Sequence, residues 1–321
     1  MSKKEMLRVL VVLGVAVVVA VVGSGAVADA EPAQQFSLQV VSPKPDGQVT
    51  VHLTLREYDT TGVVPPTVVS SHLRLPAGVE LRKQFLNARY FCDGPALRDA
   101  LDTHPSPTPF TERLANLKPF IRELAGSRAK RDRKALANVR VCERARLGGG
   151  TGLIDARKVT DTLSDPIPVK FTEFLSRGTA PGAVAGFAIL GGADEDAPLV
   201  RRYPVLAGVH AAIVDSLVND PTPDGRYGYK LVFETGPING FDVSVAEVKT
   251  TVRGLKLAKG SCLETNRRGR CVSRQPADVF LFGAPSCPAS GQLSAQLFTA
   301  YAPPGPSLTT TFPLPCPRFS Q

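Results

Sequence analysis

Polar and apolar residues alternate one by one along much of this chain, the period of an extended strand that buries one face. The clearest case runs from Gln48 to Arg56, where Val49, Val51, Leu53 and Leu55 share one face and Thr50, His52, Thr54 and Arg56 the other. Similar strands are predicted over Phe36 to Val41, Thr67 to Leu75, Val169 to Leu175, Ala183 to Leu190 and Tyr227 to Glu234. Further ones cover Phe241 to Val252, Val279 to Phe282, Leu293 to Tyr301 and Ser307 to Phe312. Pro45-Asp46-Gly47, Pro223-Asp224-Gly225 and Asn239-Gly240 supply turns between them. Parallel sheets need crossover helices, and none separates these strands. The pattern therefore predicts an all-β protein with an antiparallel, β-sandwich-like body.

One stretch departs from this period. Leu114, Leu117, Ile121 and Leu124 recur at helical spacing between Thr111 and Leu136, Thr111 can cap the start, Pro119 splits the helix and Gly126-Ser127 ends its first part. The chain then divides into a first β segment (31–101), a helical basic insertion (102–141) and a second β segment (142–321) that packs with the first. With Cys92 and Cys142 at its base, the insertion reads as a tethered excursion from the body.

Residues 1–30 read as a secretory signal peptide. Lys3, Lys4 and Arg8 precede an apolar run from Val9 to Val22, too short for a span of ~20 residues, and two small-x-small sites follow at Ala26-Val27-Ala28 and Ala28-Asp29-Ala30. The competing reading is an uncleaved anchor. Cleavage predicts a mature chain that starts at Asp29 or Glu31, has no integral membrane span, and is extracellular or associated with the cell wall.

Export changes how the cysteines are read. Cys92, Cys142, Cys262, Cys271, Cys287 and Cys316 make an even set in the exported part, which favours disulfides. Zinc sites need tighter C-x-x-C pairs than any here. Among the connectivities open to six cysteines, sequential pairing is the simplest.

The formal net charge of +9 is unevenly placed. Between Glu112 and Arg146 eleven basic residues face four acidic ones, and between Arg253 and Arg274 seven face Glu264 alone. The residues singled out for binding are Arg128, Lys130, Arg131, Arg133 and Lys134 in the first window and Arg267, Arg268 and Arg270 in the second. Outside a cell such patches suit anionic wall polymer, lipid head groups or nucleic acid, although a solvated face explains either patch alone.

Several segments carry a resemblance. Leu75 to Leu81 leads to Cys92, Cys142 opens a run ending in Gly148-Gly149-Gly150-Thr151-Gly152, and Val169 to Phe174, Gly225 to Leu231 and the pair Cys287 and Cys316 around a terminal hairpin follow. Together they resemble secreted β-rich proteins of actinobacteria, a group without an assigned activity. The resemblance implies architecture only. In that group the two cysteines before the glycine-rich strand lie close together, so the insertion here is distinctive.

Catalytic signatures are sparse. The chain has four histidines, no tryptophan and no G-x-S-x-G elbow. Ser127-Arg128-Ala129-Lys130 matches S-x-x-K without its companion motifs, and Gly148 to Gly152 lacks the lysine of a phosphate loop. His210 and Asp215 fall on opposite faces of an alternating strand, and Asp220 to Gly225 resembles a calcium loop whose twelfth position is Leu231, so it reads as a turn. No catalytic residue, metal or cofactor is assigned. The sequence favours a non-catalytic envelope binding or structural protein over a carrier of an apolar ligand, and over a hydrolase assembled from distant residues.

Overall fold

The computed structural model describes residues 32–41, 50–59, 67–77, 79–86, 89–104, 106–156, 163, 165–233, 244–265, 270–283, 292–302 and 307–315. The predicted leader, Arg267, Arg268, Cys287 and Cys316 lie outside them. Strands β1 (Pro32–Val41), β2 (Thr50–Asp59), β3 (Val68–Pro76) and β4 (Glu80–Leu81) come first. Four helices follow: α1 (Gly94–Thr103), α2 (Phe110–Ala115), α3 (Lys118–Gly126) and α4 (Lys130–Ala145). The chain continues through β5 (Arg146–Asp155), β6 (Ile167–Ser176), β7 (Ala183–Ala193), α5 (Pro198–Arg202), β8 (His210–Asn219), β9 (Tyr227–Phe233) and β10 (Ser244–Val252). Last come β11 (Lys256–Leu257), β12 (Cys262–Thr265), β13 (Cys271–Arg274), β14 (Val279–Phe280), β15 (Phe282–Gly283), β16 (Gln292–Tyr301) and β17 (Ser307–Pro315).

The body is all-β and antiparallel, as the alternation predicts. Eleven strands form one sheet in the order β1-β2-β10-β5-β6-β7-β8-β9-β3-β16-β17. This sheet curls into a nearly closed barrel. Its two edges meet where Phe36 on β1 lies against Phe312 on β17, ring centroids 4.6 Å apart. The period-2 pattern sends Phe36, Leu38, Leu53, Leu55, Leu73, Leu297 and Leu314 inward, where they pack across the barrel. Curvature is concentrated at β5. A Cβ on Gly148 or Gly150 would lie 2.0 or 1.9 Å from the carbonyl oxygens of Thr251 and Lys249 on β10, so only glycine permits this approach.

The helices cover the outer face of β6, β7 and β8. Gly94 of α1 lies so close to Ala188 and Leu190 on β7 that a Cβ would approach the Ala188 methyl to 2.8 Å. Leu97, Leu101, Leu114, Leu117, Leu124 and Val139 are all buried in this layer together with Phe174, Ala188 and Leu190 of the sheet. The helical region is therefore a structural layer and not the tethered excursion expected from sequence. Isolated helices this short are marginal in water, and their apolar stripes need the sheet. Pro119 sits in the first turn of α3, where proline is tolerated, so it starts that helix instead of splitting one.

The layer is pinned at one point. Cys92 and Cys142 are joined, the Cys92 N–H donates to the Leu175 carbonyl on β6, and the Asn138 side chain both accepts from the Asp93 N–H and donates to its carbonyl. A second disulfide joins Cys262 and Cys271 across the β12–β13 hairpin. Two disulfides fit an oxidising compartment. Among the described residues no helix is long and apolar enough to cross a membrane.

Truncating the helical layer tests its structural role. Leu117→Ala or Leu124→Ala is expected to lower the unfolding free energy by about 3 kcal/mol, and Val205→Ala, at a side chain 68% exposed, to change it little. Chemical denaturation measures both. Joining Thr103 to Val139 by a short linker is expected to give an unfolded chain.

Candidate functional site

Helix α4 has two faces of opposite character. Val139, Cys142 and Ala145 point into the core. At 3.6 residues per turn, Lys130, Arg133, Lys134, Arg140 and Arg144 fall within a stripe about 120° wide on the other side, along a helix ~24 Å long. All five are exposed, as are Arg128 and Arg131 beside them. Arg131 reaches Asp132 at 3.7 Å. No carboxylate pairs with Arg128 or with the five stripe cations among the described residues. Two other basic residues of the first window serve the fold. Arg113 donates to the Leu101 carbonyl and lies over the Phe120 ring, and Arg146 donates to the Ala115 carbonyl and pairs with Glu143.

The placement of these cations works against the helix. Arg128, Lys130, Arg131, Arg133 and Lys134 cluster at its N-terminal end, where exposed N–H groups and the macrodipole disfavour positive charge, and Asp132 is the sole acid in the first turn. The second basic window is less free. Lys256 pairs with Asp278 at 2.7 Å and Arg274 donates to the Gly260 carbonyl; Arg270 lies exposed next to the Cys262–Cys271 bridge and is not free either. The structure thus gathers five of the eight predicted binding residues on or just before α4. Arg140 and Arg144 were missed because the sequence pattern closes the helix near Leu136.

Histidine and aspartate do meet twice. His210 Nδ1 lies 2.8 Å from Asp102 Oδ1, and its Nε2 faces the Ala207 carbonyl at 3.1 Å. His104 Nε2 lies 3.3 Å from Asp132, and its Nδ1 faces the Ala100 carbonyl at 2.7 Å. Each ring is held between a carboxylate and a backbone carbonyl, and among the described residues no serine hydroxyl bonds either one. Ser127 donates to Asp132 at 2.5 Å and not to a histidine, so the S-x-x-K match has no catalytic geometry. Ser106 lines the same open cleft of about 370 Å³ as His210 and Asp102, yet its hydroxyl accepts from the Thr108 N–H.

The acidic clusters also serve the fold. Asp220 pairs with Arg74 and Lys230. Asp224 is held by Thr222 and Arg226 and lies below the usual carboxylate range for that reason, and Gly225 turns the chain with φ +68°. Asp194 and Asp196 converge on Lys170. The β8–β9 connection is the turn that the sequence indicates.

A different set of acids lies inside the barrel. Glu173 on β6 and Asp215 on β8 face inward, 6% and 1% exposed, and Glu57 on β2 is 4% exposed. Thr250 of β10 donates to Glu173 at 2.8 Å. Gln34 of β1 donates weakly to Glu57 at 3.4 Å and to the Tyr301 hydroxyl at 3.1 Å, linking β1 to β16 near the seam. Burial pushes the Glu57 and Glu173 carboxyls up to about 7. Burial, with Glu173 nearby, raises Asp215 well above the carboxylate range. The alternation marks β2 and β6 as half-buried strands, but it cannot say that an acid stands on the inner face.

Comparison with protein families, curated proteins and solved structures finds no match to this chain.

A folded chain that holds protons the unfolded chain releases loses stability as pH rises. For Glu57 and Glu173 the loss is expected between pH 4.5 and about 7, and Asp215 adds to it in the same direction. Thermal melts across pH 5 to 8 should show this fall. Glu173→Gln keeps an acceptor for Thr250, so it is expected to make the fall shallower, leaving the part due to Glu57 and Asp215, and to gain about 3 kcal/mol over the native chain at pH 8.

Proposed function

We propose that this protein is a non-enzymatic binding module of the cell envelope or extracellular space that holds a linear polyanion along the outer face of α4. The unpaired cationic stripe carries the reading. Folding does not account for it, since the stripe faces away from the core and crowds cations at the end of the helix that disfavours them. Turns of the helix repeat every ~5.4 Å, and guanidinium and ammonium groups at that spacing suit a chain of successive phosphates or sulfates.

A bilayer fits less well. Amphipathic helices that lie in a membrane surface insert large apolar side chains beneath their cations. The apolar face of α4 is already buried against the sheet, and the residues among its outer cations are Ala137 and Val141. The two disulfides agree with a place outside the cytoplasm.

Replacing Lys130, Arg133, Lys134, Arg140 and Arg144 by Gln should leave the circular dichroism spectrum unchanged while abolishing retention on immobilised polyphosphate. The native chain should bind with an affinity that falls linearly in log salt, and each cation removed should lower that slope by roughly 0.7 to 0.9. Equal retention of the variant overturns the proposal. Stronger binding of the native chain to anionic vesicles than to polyphosphate would replace the polymer by a lipid surface.

A further inference from the structure

The barrel interior carries hydrogen-bond acceptors without donors. Neither carboxylate oxygen of Asp215 has a partner, and one oxygen each of Glu57 and Gln34 is likewise alone and buried among the described residues. Buried polar groups are normally satisfied, so an unpartnered carboxyl 1% exposed requires an explanation. No Lys or Arg stands at an inward position of the eleven strands among the described residues, and the cations of α4 face away from the sheet.

The surroundings of Asp215 narrow the missing chemistry. Register places it opposite Phe187, with Glu173 two strands away and Ile189 and Ile213 on the same inner face. Phe187, Ile189, Ile213 and Leu231 keep partial exposure although the barrel wall surrounds them, so the apolar wall near the two buried acids is not fully packed. Two carboxyls and one threonine hydroxyl are too few oxygens for a hard cation such as Ca²⁺, and among the described residues no cluster of three metal-ligating side chains occurs. An organic ammonium donates up to three hydrogen bonds and brings an apolar body for the apolar wall. It is also the charge that lets a buried carboxylate ionise.

We infer that the barrel interior binds an amphipathic amine, its ammonium seated between Asp215 and Glu173 and its apolar part against Phe187, Ile189, Ile213 and Leu231. The Gln34–Glu57–Tyr301 cluster lies farther along the barrel. Glu57 is four residues beyond Leu53, the partner of Thr250, or ~13 Å along the strand. That cluster is open to a second donor on a longer ligand. The site does not rest on the polyanion reading of α4.

The test uses dodecylamine, dodecanol and dodecanoate below their aggregation limits, with the full mature chain, native mass spectrometry for stoichiometry and thermal shift for affinity. One dodecylamine per chain is expected, bound at least tenfold more tightly than dodecanol, with no binding of dodecanoate. Asp215→Asn should reduce dodecylamine affinity at least tenfold and leave dodecanol binding unchanged. The variant in which the five α4 cations are replaced should bind dodecylamine like the native chain. Equal binding of all three probes, or no binding of dodecylamine by the native chain, overturns the inference. The comparison among probes uses the native chain, so it stands even if Asp215→Asn does not fold.

Discussion

Closure of the sheet is the constraint on which the rest of the molecule depends. Eleven antiparallel strands left open would expose two edges with unpaired backbone groups, and curling them until Phe36 meets Phe312 brings those edges together. Closure needs a strand that tolerates close backbone approach, which the glycines of β5 supply. It also creates two surfaces of different fate. The inner face is enclosed by the barrel wall whatever its composition, while the outer face of β6 to β8 stays apolar and must be covered by the helices.

That covering explains why the helical region resists detachment. Six of its apolar side chains are essentially fully buried, and the Cys92–Cys142 bridge, the Cys92–Leu175 backbone bond and the Asn138–Asp93 pair fix it within one turn of β6. Loop-closure entropy would favour a freely shortened insertion. Burial decides otherwise, because each lost leucine removes a few kcal/mol.

Period-2 alternation made most of the barrel legible: β1, β2, β3, β6, β10, β16 and β17 carry it over much of their length, while β7 and β9 are marked by their apolar and aromatic residues. Three kinds of element escaped. Helix α1 has a sequence signal, since the Asp93 side chain caps Ala96 N and Pro95 sits in the first turn, but only Leu97 and Leu101 mark its stripe. β8 was hidden because its continuous apolar run, buried on both faces by barrel and helices, loses the alternation. The curvature was hidden because alternation reports which face is buried and not how far the sheet bends. On the site side, basic residues cluster in sequence and are therefore visible. The inner acids are separated by dozens of residues and meet only through register.

Charge is divided between inside and outside in a way that folding alone does not account for. Among the described residues the outer cations of α4 lack anions, and the inner oxygens of Asp215 lack donors. They cannot satisfy one another, because the stripe points to water and the barrel wall stands between them. The formal charge of +9 counts every carboxyl as ionised. Glu57, Glu173 and Asp215 are held toward their neutral forms by burial, so near neutral pH the empty barrel is more positive than its composition suggests. An ammonium entering the barrel would restore the carboxylate charge as it adds its own, leaving the outer field nearly unchanged. On the two proposals above, the surfaces would act independently, the outer one through long-range attraction and the inner one through short-range pairing.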